Sequence, residues 1–277
     1  LPAEVPAPSM VSSELLEFVL VTSATAVLVV AMSAAAAGAR ATVVLSLMLV
    51  AVILQTVALA ARWAELGHGP FTTLYEVLGS SVWSLLLFYA VAYTAMPAIR
   101  STAALVLPFI VLLAAWMLST DSSAGHLPPT FSTPLLYVHS LFGKLFLGCM
   151  LLSVALAVVV PARWTVLSRR FEDMPQDDRL IELSYRFAAF AFIFDTLMLI
   201  TGAIWAQDAW GRYWAWDPLE TWAFLTWLAL AFALHLKIWM RPAPLVWVVL
   251  SVAVFVLAFL TFFGVPFVSD SPHKGAF

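Results

Sequence analysis

Eight apolar runs set the plan of this chain. They lie near 13–36, 42–62, 75–96, 102–119, 134–160, 183–206, 220–240 and 243–264, and a helix needs about 20 such residues to cross the hydrocarbon core of a bilayer. Gly38 with Arg40, Pro97 with Arg100, and Arg241-Pro242 punctuate three short connections. The longest polar stretch, Pro161 to Glu182, carries RRFEDMPQDDR and reads as the one soluble loop of any size. No internal repeat is evident. The expected fold is an all-α polytopic integral membrane protein of about eight transmembrane helices, with residues 1–277 forming a single membrane domain.

Composition agrees with the pattern. Hydrophobic residues make up 63% of the chain and charged residues 10%, and the mean hydropathy is +0.99. No soluble domain needs that much apolar surface. A net charge of −3 gives no sign of nucleic-acid binding. The single cysteine, Cys149, excludes an internal disulfide and reads as a small core residue. Leu1 to Met10 has no basic stretch leading into an apolar one, so no signal peptide is expected there.

Charge gives the expected orientation. With both termini outside, the inner side receives Arg40, Arg100, Arg163, Arg169, Arg170, Arg179, Arg186, Lys237 and Arg241. The outer side keeps Arg62, Lys144, Arg212 and Lys274. Nine against four is a positive-inside bias. It turns residues 207–219 outward, together with His68, His126, His139 and the tail bearing His273.

One segment stands apart. Residues 205–227, WAQDAWGRYWAWDPLETWAFLTW, hold Trp205, Trp210, Trp214, Trp216, Trp222 and Trp227, half of the twelve tryptophans. Its middle, Gly211 to Pro218, is too polar and turn-rich for a hydrocarbon-buried helix and is expected as a loop or interfacial helix at the membrane surface. Two readings are open. Tryptophan and tyrosine gather at the headgroup level of any membrane protein, and indole faces also stack on extended π systems. Asp217-Pro218-Leu219-Glu220 reads as a helix start, with Asp217 as N-cap, Pro218 first in the helix and Glu220 reaching back as in a capping box.

The histidines bear on that choice. His139 falls about one turn into the fifth run, and His273 just past the eighth. Either alone reads as a tolerated interfacial residue. Two of them flanking a tryptophan platform suit haem iron held by imidazole from both sides, with the platform on the porphyrin face. Structural zinc is disfavoured, since this face has no cysteine and no tight histidine pair. His235 lies about 20 Å down the seventh helix, in the inner half of the bilayer. An ionisable residue there is a functional candidate, with snorkelling to the inner surface as the plain alternative. Asp195 is near mid-bilayer, with no partner evident in the sequence.

The segment 205–227, continuing into ALHLK, resembles the WWD signature of haem-handling proteins of cytochrome c maturation, and is most similar to the CcsA/ResC branch (system II). RWAELGHGPFTTLYEVLGSSVW (62–83), the Tyr137–Ala157 region and LSYRF…ITGAIWA (183–206) share the likeness. The resemblance implies non-covalent haem b carried to an outer site for thioether attachment to the CxxCH motif of apocytochrome c. It implies His139 and His273 as the axial ligands, His235 as a possible second haem site, and Trp210, Gly211, Trp214, Trp216 and Asp217 as cofactor-binding. It also implies a CcsB/ResB-like membrane partner, the cell inner (cytoplasmic) membrane, and a share in a holocytochrome c synthase. The tail departs from the family's Gly-Leu-His-Ser-Tyr-Gly, reading Asp270-Ser271-Pro272-His273-Lys274-Gly275. Two other classes stay open: a b-type haem electron-transfer subunit of a larger membrane complex, and a haem-free scaffold or transporter.

Overall fold

The computed structural model describes residues 8–268. Eight long helices follow one another: α1 (Pro8–Ala37), α2 (Ala41–Leu66), α3 (Leu74–Ala95), α4 (Ala103–Leu118), α5 (Pro134–Ala162), α6 (Asp177–Trp210), α7 (Pro218–Met240) and α8 (Pro244–Phe263). A 3₁₀ turn, Pro97–Thr102, leads into α4, and a single turn, α9 (Val265–Val268), follows α8. Among the described residues eight helical segments, the fourth being α4 together with its 3₁₀ turn (Pro97–Leu118), are long and apolar enough to cross a membrane. The chain is a multi-pass, all-α membrane protein. Leu112, Phe232 and Val249 are each more than 60% exposed, and side chains of this kind on the outside of a bundle need lipid around them.

The helices close into two four-membered rings. In the first, α1 packs on α2 and α4, and α3 packs on the same two. In the second, α5 packs on α6 and α8, and α7 packs on the same two, with α5–α6 the most extensive pairing of all. α3 against α5 is the main seam between the rings. Lipid is as apolar as leucine, so close packing and interhelical hydrogen bonds must hold such a bundle. Trp83 Nε1 donates to Thr56 Oγ1 between α3 and α2, and Trp227 Nε1 to Thr196 Oγ1 between α7 and α6. Ser153 and Trp247 both bond to Ser184, tying α5 and α8 to α6.

Alternation of the helices puts the connections 67–73, 119–133 and 211–217 at one end of the bundle, here called the tryptophan face. The connections 38–40, 163–176 and 241–243 lie at the other, the arginine face. Residues 161–182 differ from the loop expected of them. α6 already begins at Asp177, with Asp177 and Asp178 in its first turn, where acidic side chains meet the positive end of the helix dipole. Arg163 pairs with Asp177 and donates to the carbonyls of Phe171, Met174 and Pro175. Phe171 and Met174 are buried beneath it. The stretch is a folded cap rather than a free loop. α6 also runs on to Trp210, past the expected end at 206, until Gly211 closes it in a left-handed conformation (φ 79°) that glycine adopts without strain.

Near the tryptophan face of the first ring, Arg62 of α2 is buried in a dense ionic cluster. Its Nε lies 3.0 Å from Glu76 Oε1 and its Nη1 3.2 Å from Glu17. Its Nη2 donates to the carbonyls of Ser122 and Ser123. Glu76 Oε2 accepts from both the N–H and the hydroxyl of Thr72. The cluster thus joins α1, α2, α3 and the 119–133 connection.

Candidate functional site

A cavity of about 190 Å³ opens in the tryptophan-face half of the molecule, between α3, α5, α6, α7 and α8. Its walls are mostly apolar, with Phe131, Leu136, Trp205 and Phe262 among them. The polar side chains that reach it include His139 and Lys144 from α5, Ser80 and Ser81 from α3, Trp214 from the 211–217 connection and Glu220 from α7.

His139 is fixed by its surroundings. α5 starts at Pro134, already set for a helical φ, so His139 comes just over one turn in. Its Nδ1 lies 2.9 Å from the carbonyl oxygen of Met198. A carbonyl only accepts, so Nδ1 carries a proton, and in the neutral imidazole the lone pair is then on Nε2. The ring crosses α6 at Gly202, where a Cβ would stand 2.8 Å from both Cε1 and Nδ1. Only glycine leaves room for the imidazole there. Trp205 stacks on the same ring at 6.3 Å and 10°. It is held in turn by its Nε1 donating to the Phe131 carbonyl at 3.1 Å and by edge contacts with Phe131 and Trp210. The residue that backs the imidazole is therefore Trp205.

The tryptophan-rich connection covers one side of the cavity. Trp214 lines it, and its indole N–H is buried with no hydrogen-bond partner among the described residues. Trp216 meets Trp214 and Phe224 edge-on but is 66% exposed and outside the lining. Its φ of 58° is a rare conformation for a bulky side chain. Asp217 caps α7 by accepting from the Glu220 N–H at 2.9 Å, as the sequence suggests. Glu220 does reach back, but its Oε2 takes the N–H of Ala215, at 2.7 Å. The turn is wider than a capping box, and the carboxylate pins the connection that bears the tryptophans.

The other sequence candidates fall in different places. Trp210 packs behind Trp205 against Phe131, and Gly211 closes α6, both outside the cavity lining. His235 is exposed on α7 toward the arginine face, its Nδ1 2.8 Å from the Ala231 carbonyl, with Trp239 and Met240 exposed beyond it. His126 is exposed, and His68 lies by Gly69 with its Nδ1 3.0 Å from that carbonyl. Asp195 is fully buried on α6, and neither carboxylate oxygen has a partner among the described residues. It is not in the cavity lining. His273 lies outside the described residues.

Comparison with known proteins decides what kind of chain carries this cavity. The family described as cytochrome c assembly protein matches residues 71–273. The chain belongs to that family. Cytochrome c biogenesis protein CcsA of Guillardia theta is 32% identical over 254 residues, covering 82% of this chain and 83% of its own length. CcsA of Chlamydomonas reinhardtii is 28% identical over 246 residues, covering 83% of this chain and 67% of its own. Among solved structures, the cytochrome c haem lyase CcmF superposes with a TM-score of 0.70 at 19% identity. The match takes in all of this chain, which spans half the length of the CcmF chain. For this cytochrome c assembly protein, the family match runs from just before α3 past α8, and the cavity lining, from Phe71 to Pro266, falls within it.

Several residues of the site were not among the sequence candidates. Trp205 stands in the tryptophan cluster, but its role depends on Phe131 and His139, which only folding brings beside it. Gly202 has no signal beyond being a small residue in an apolar run. Lys144 did carry one. It is a basic residue inside a membrane span, five positions after His139, and such residues are costly unless they serve a purpose.

Proposed function

We propose that this cytochrome c assembly protein binds haem in the cavity beneath the tryptophan-bearing connection and presents it for attachment to apocytochrome c. The observation that carries the reading is the state of His139. Its Nδ1 is held by a carbonyl, so Nε2 is the nitrogen that would coordinate iron, and the ring lines an apolar cavity with a tryptophan stacked on it. A second bond that orients a histidine in this way is the usual support of a metal ligand. The residues fit the group: an imidazole for iron, aromatic walls for the porphyrin and buried hydrogen-bond donors for its acids. Haem bound there as b-type haem supplies vinyl groups for thioether formation with cysteine thiols. The protein's share is to hold the iron, exclude water and expose one edge of the ring.

His273 is the second axial ligand in this reading, on the strength of the family resemblance. The same resemblance makes His235 part of a haem route or second site on the arginine-face half. Its exposure beside Trp239 and Met240 suits completion by a membrane partner of the CcsB/ResB kind. The membrane is then the cytoplasmic membrane, with the tryptophan face outward, in keeping with Arg40, Arg163, Arg169, Arg170 and Arg241 at the opposite face. Deleting the gene and staining for c-type cytochromes tests the whole reading. Loss of covalent haem staining, restored by the wild-type gene and not by a His139→Ala version, is expected. Normal c-type cytochromes in the deletion strain, or haem that stays bound as an electron carrier while maturation proceeds, would overturn it.

A further inference from the structure

Lys144 is a basic side chain that reaches the cavity. Its Nζ donates to Ser80 Oγ at 2.9 Å and Ser81 Oγ at 3.3 Å. Both hydroxyls pass their own protons to backbone carbonyls, Ser80 to Val77 or Pro70 and Ser81 to Val77. They therefore meet the ammonium with lone pairs, but two neutral oxygens leave one N–H and the whole charge unanswered. No carboxylate among the described residues comes within 4.0 Å of Lys144. Glu220, the one acid of the lining among the described residues, is engaged at Ala215 instead. Trp214, whose indole N–H is buried without a partner among the described residues, lines the same cavity. Among the described residues, Lys144 and the Trp214 indole thus bring donors to the cavity with no anionic partner at hand, and an ammonium so placed in a membrane protein calls for an anion.

Depth says which part of the ligand provides it. Lys144 is ten residues into α5, about 15 Å from its tryptophan-face end, whereas His139 is about 7.5 Å from it. On the haem reading above, on which this inference rests, the acid edge of the porphyrin must lie deeper than the iron. We infer that Lys144 binds the propionate edge of haem, and so turns the opposite, vinyl-bearing edge toward the tryptophan face. A lipid headgroup is a poorer source of the anion, because Lys144 lies well below the end of the helix. The arrangement gives the cavity a polarity: acids inward, reactive vinyls outward, where a cysteine-bearing partner arrives.

The test compares ferric protoporphyrin IX with its dimethyl ester, titrated by absorbance into the full chain in neutral phosphatidylcholine nanodiscs. The two share iron, ring and vinyls, and differ only at the acids. The wild type is expected to prefer the diacid about 10- to 100-fold, the value of a charge-assisted hydrogen bond in this setting. Lys144→Met should abolish that preference while binding the ester as the wild type does. An unchanged preference in Lys144→Met, or none in the wild type, would overturn the inference and leave haem binding standing. Loss of the ester as well would assign Lys144 to packing and also overturn it. Failure of both porphyrins to bind the wild type would instead remove the haem reading itself.

Discussion

Arg62 and Lys144 are both basic residues of membrane-spanning helices in the tryptophan-face half of the molecule, and the fold answers them in opposite ways. Arg62 meets two carboxylates and two carbonyls, and one of those carboxylates is itself bonded twice more by Thr72. Lys144 meets two serine hydroxyls. A complete set of partners ties four segments of chain together and leaves nothing for a ligand to do. An incomplete set, opening on a cavity with a fixed imidazole and an indole N–H without a partner among the described residues, suits the anionic group proposed above. The family match begins after Arg62 and contains Lys144, so the two cations also fall on either side of its edge.

The sharpest way to break the contrast is to remove a partner from each. Glu76→Ala leaves Arg62 buried with half of its counter-charge, and should cost about 3–5 kcal/mol, read as loss of folded protein in detergent or a lowered unfolding midpoint. Lys144→Met, without porphyrin, should unfold no earlier than the wild type, since it removes a poorly compensated charge. Equal destabilisation by both would make Lys144 a structural residue. Gly202→Ala comes next. The added methyl would stand 2.8 Å from the His139 ring, so a cost of about 1–3 kcal/mol is expected, with less haem retained on purification. Trp205→Phe keeps an aromatic ring beside His139 but removes the indole bond to the Phe131 carbonyl, which still accepts from the Thr133 N–H, for about 1 kcal/mol in thermal unfolding. Trp216→Ala should be the mildest, within about 0.5 kcal/mol, because the ring is largely exposed. It should also lower haem occupancy less than Trp214→Ala. The reverse order would return the segment to a plain aromatic belt.

Much of this was legible in the sequence, for physical reasons. Apolar runs of spanning length need no tertiary knowledge, and Asp217-Pro218 specifies its own helix start. His139 was conspicuous because imidazole is rare in an apolar run. The ends of α6 were harder. Its polar first turn reads as loop, but Arg163 satisfies the carbonyls before it and the helix dipole rewards Asp177 and Asp178. Within the tryptophan segment, composition cannot separate Trp214 from Trp216, and a left-handed backbone at Trp216 sends one ring outward. Trp205 and Gly202 acquire their roles only by facing His139 across the α5–α6 pairing. Asp195, buried without a hydrogen-bond partner among the described residues, has no physical account in the cavity or the ionic cluster.

On the proposed function, the His139 Nε2 holds haem iron. The direct measurement is the reduced absorption spectrum of purified His139→Gly, with and without added imidazole, beside the wild type. The wild type should show the low-spin spectrum of a bis-imidazole b-type haem. The variant should lose haem or its low-spin bands and recover them as imidazole refills the vacated position. A variant with full haem content, unchanged low-spin bands and no response to imidazole would contradict the account.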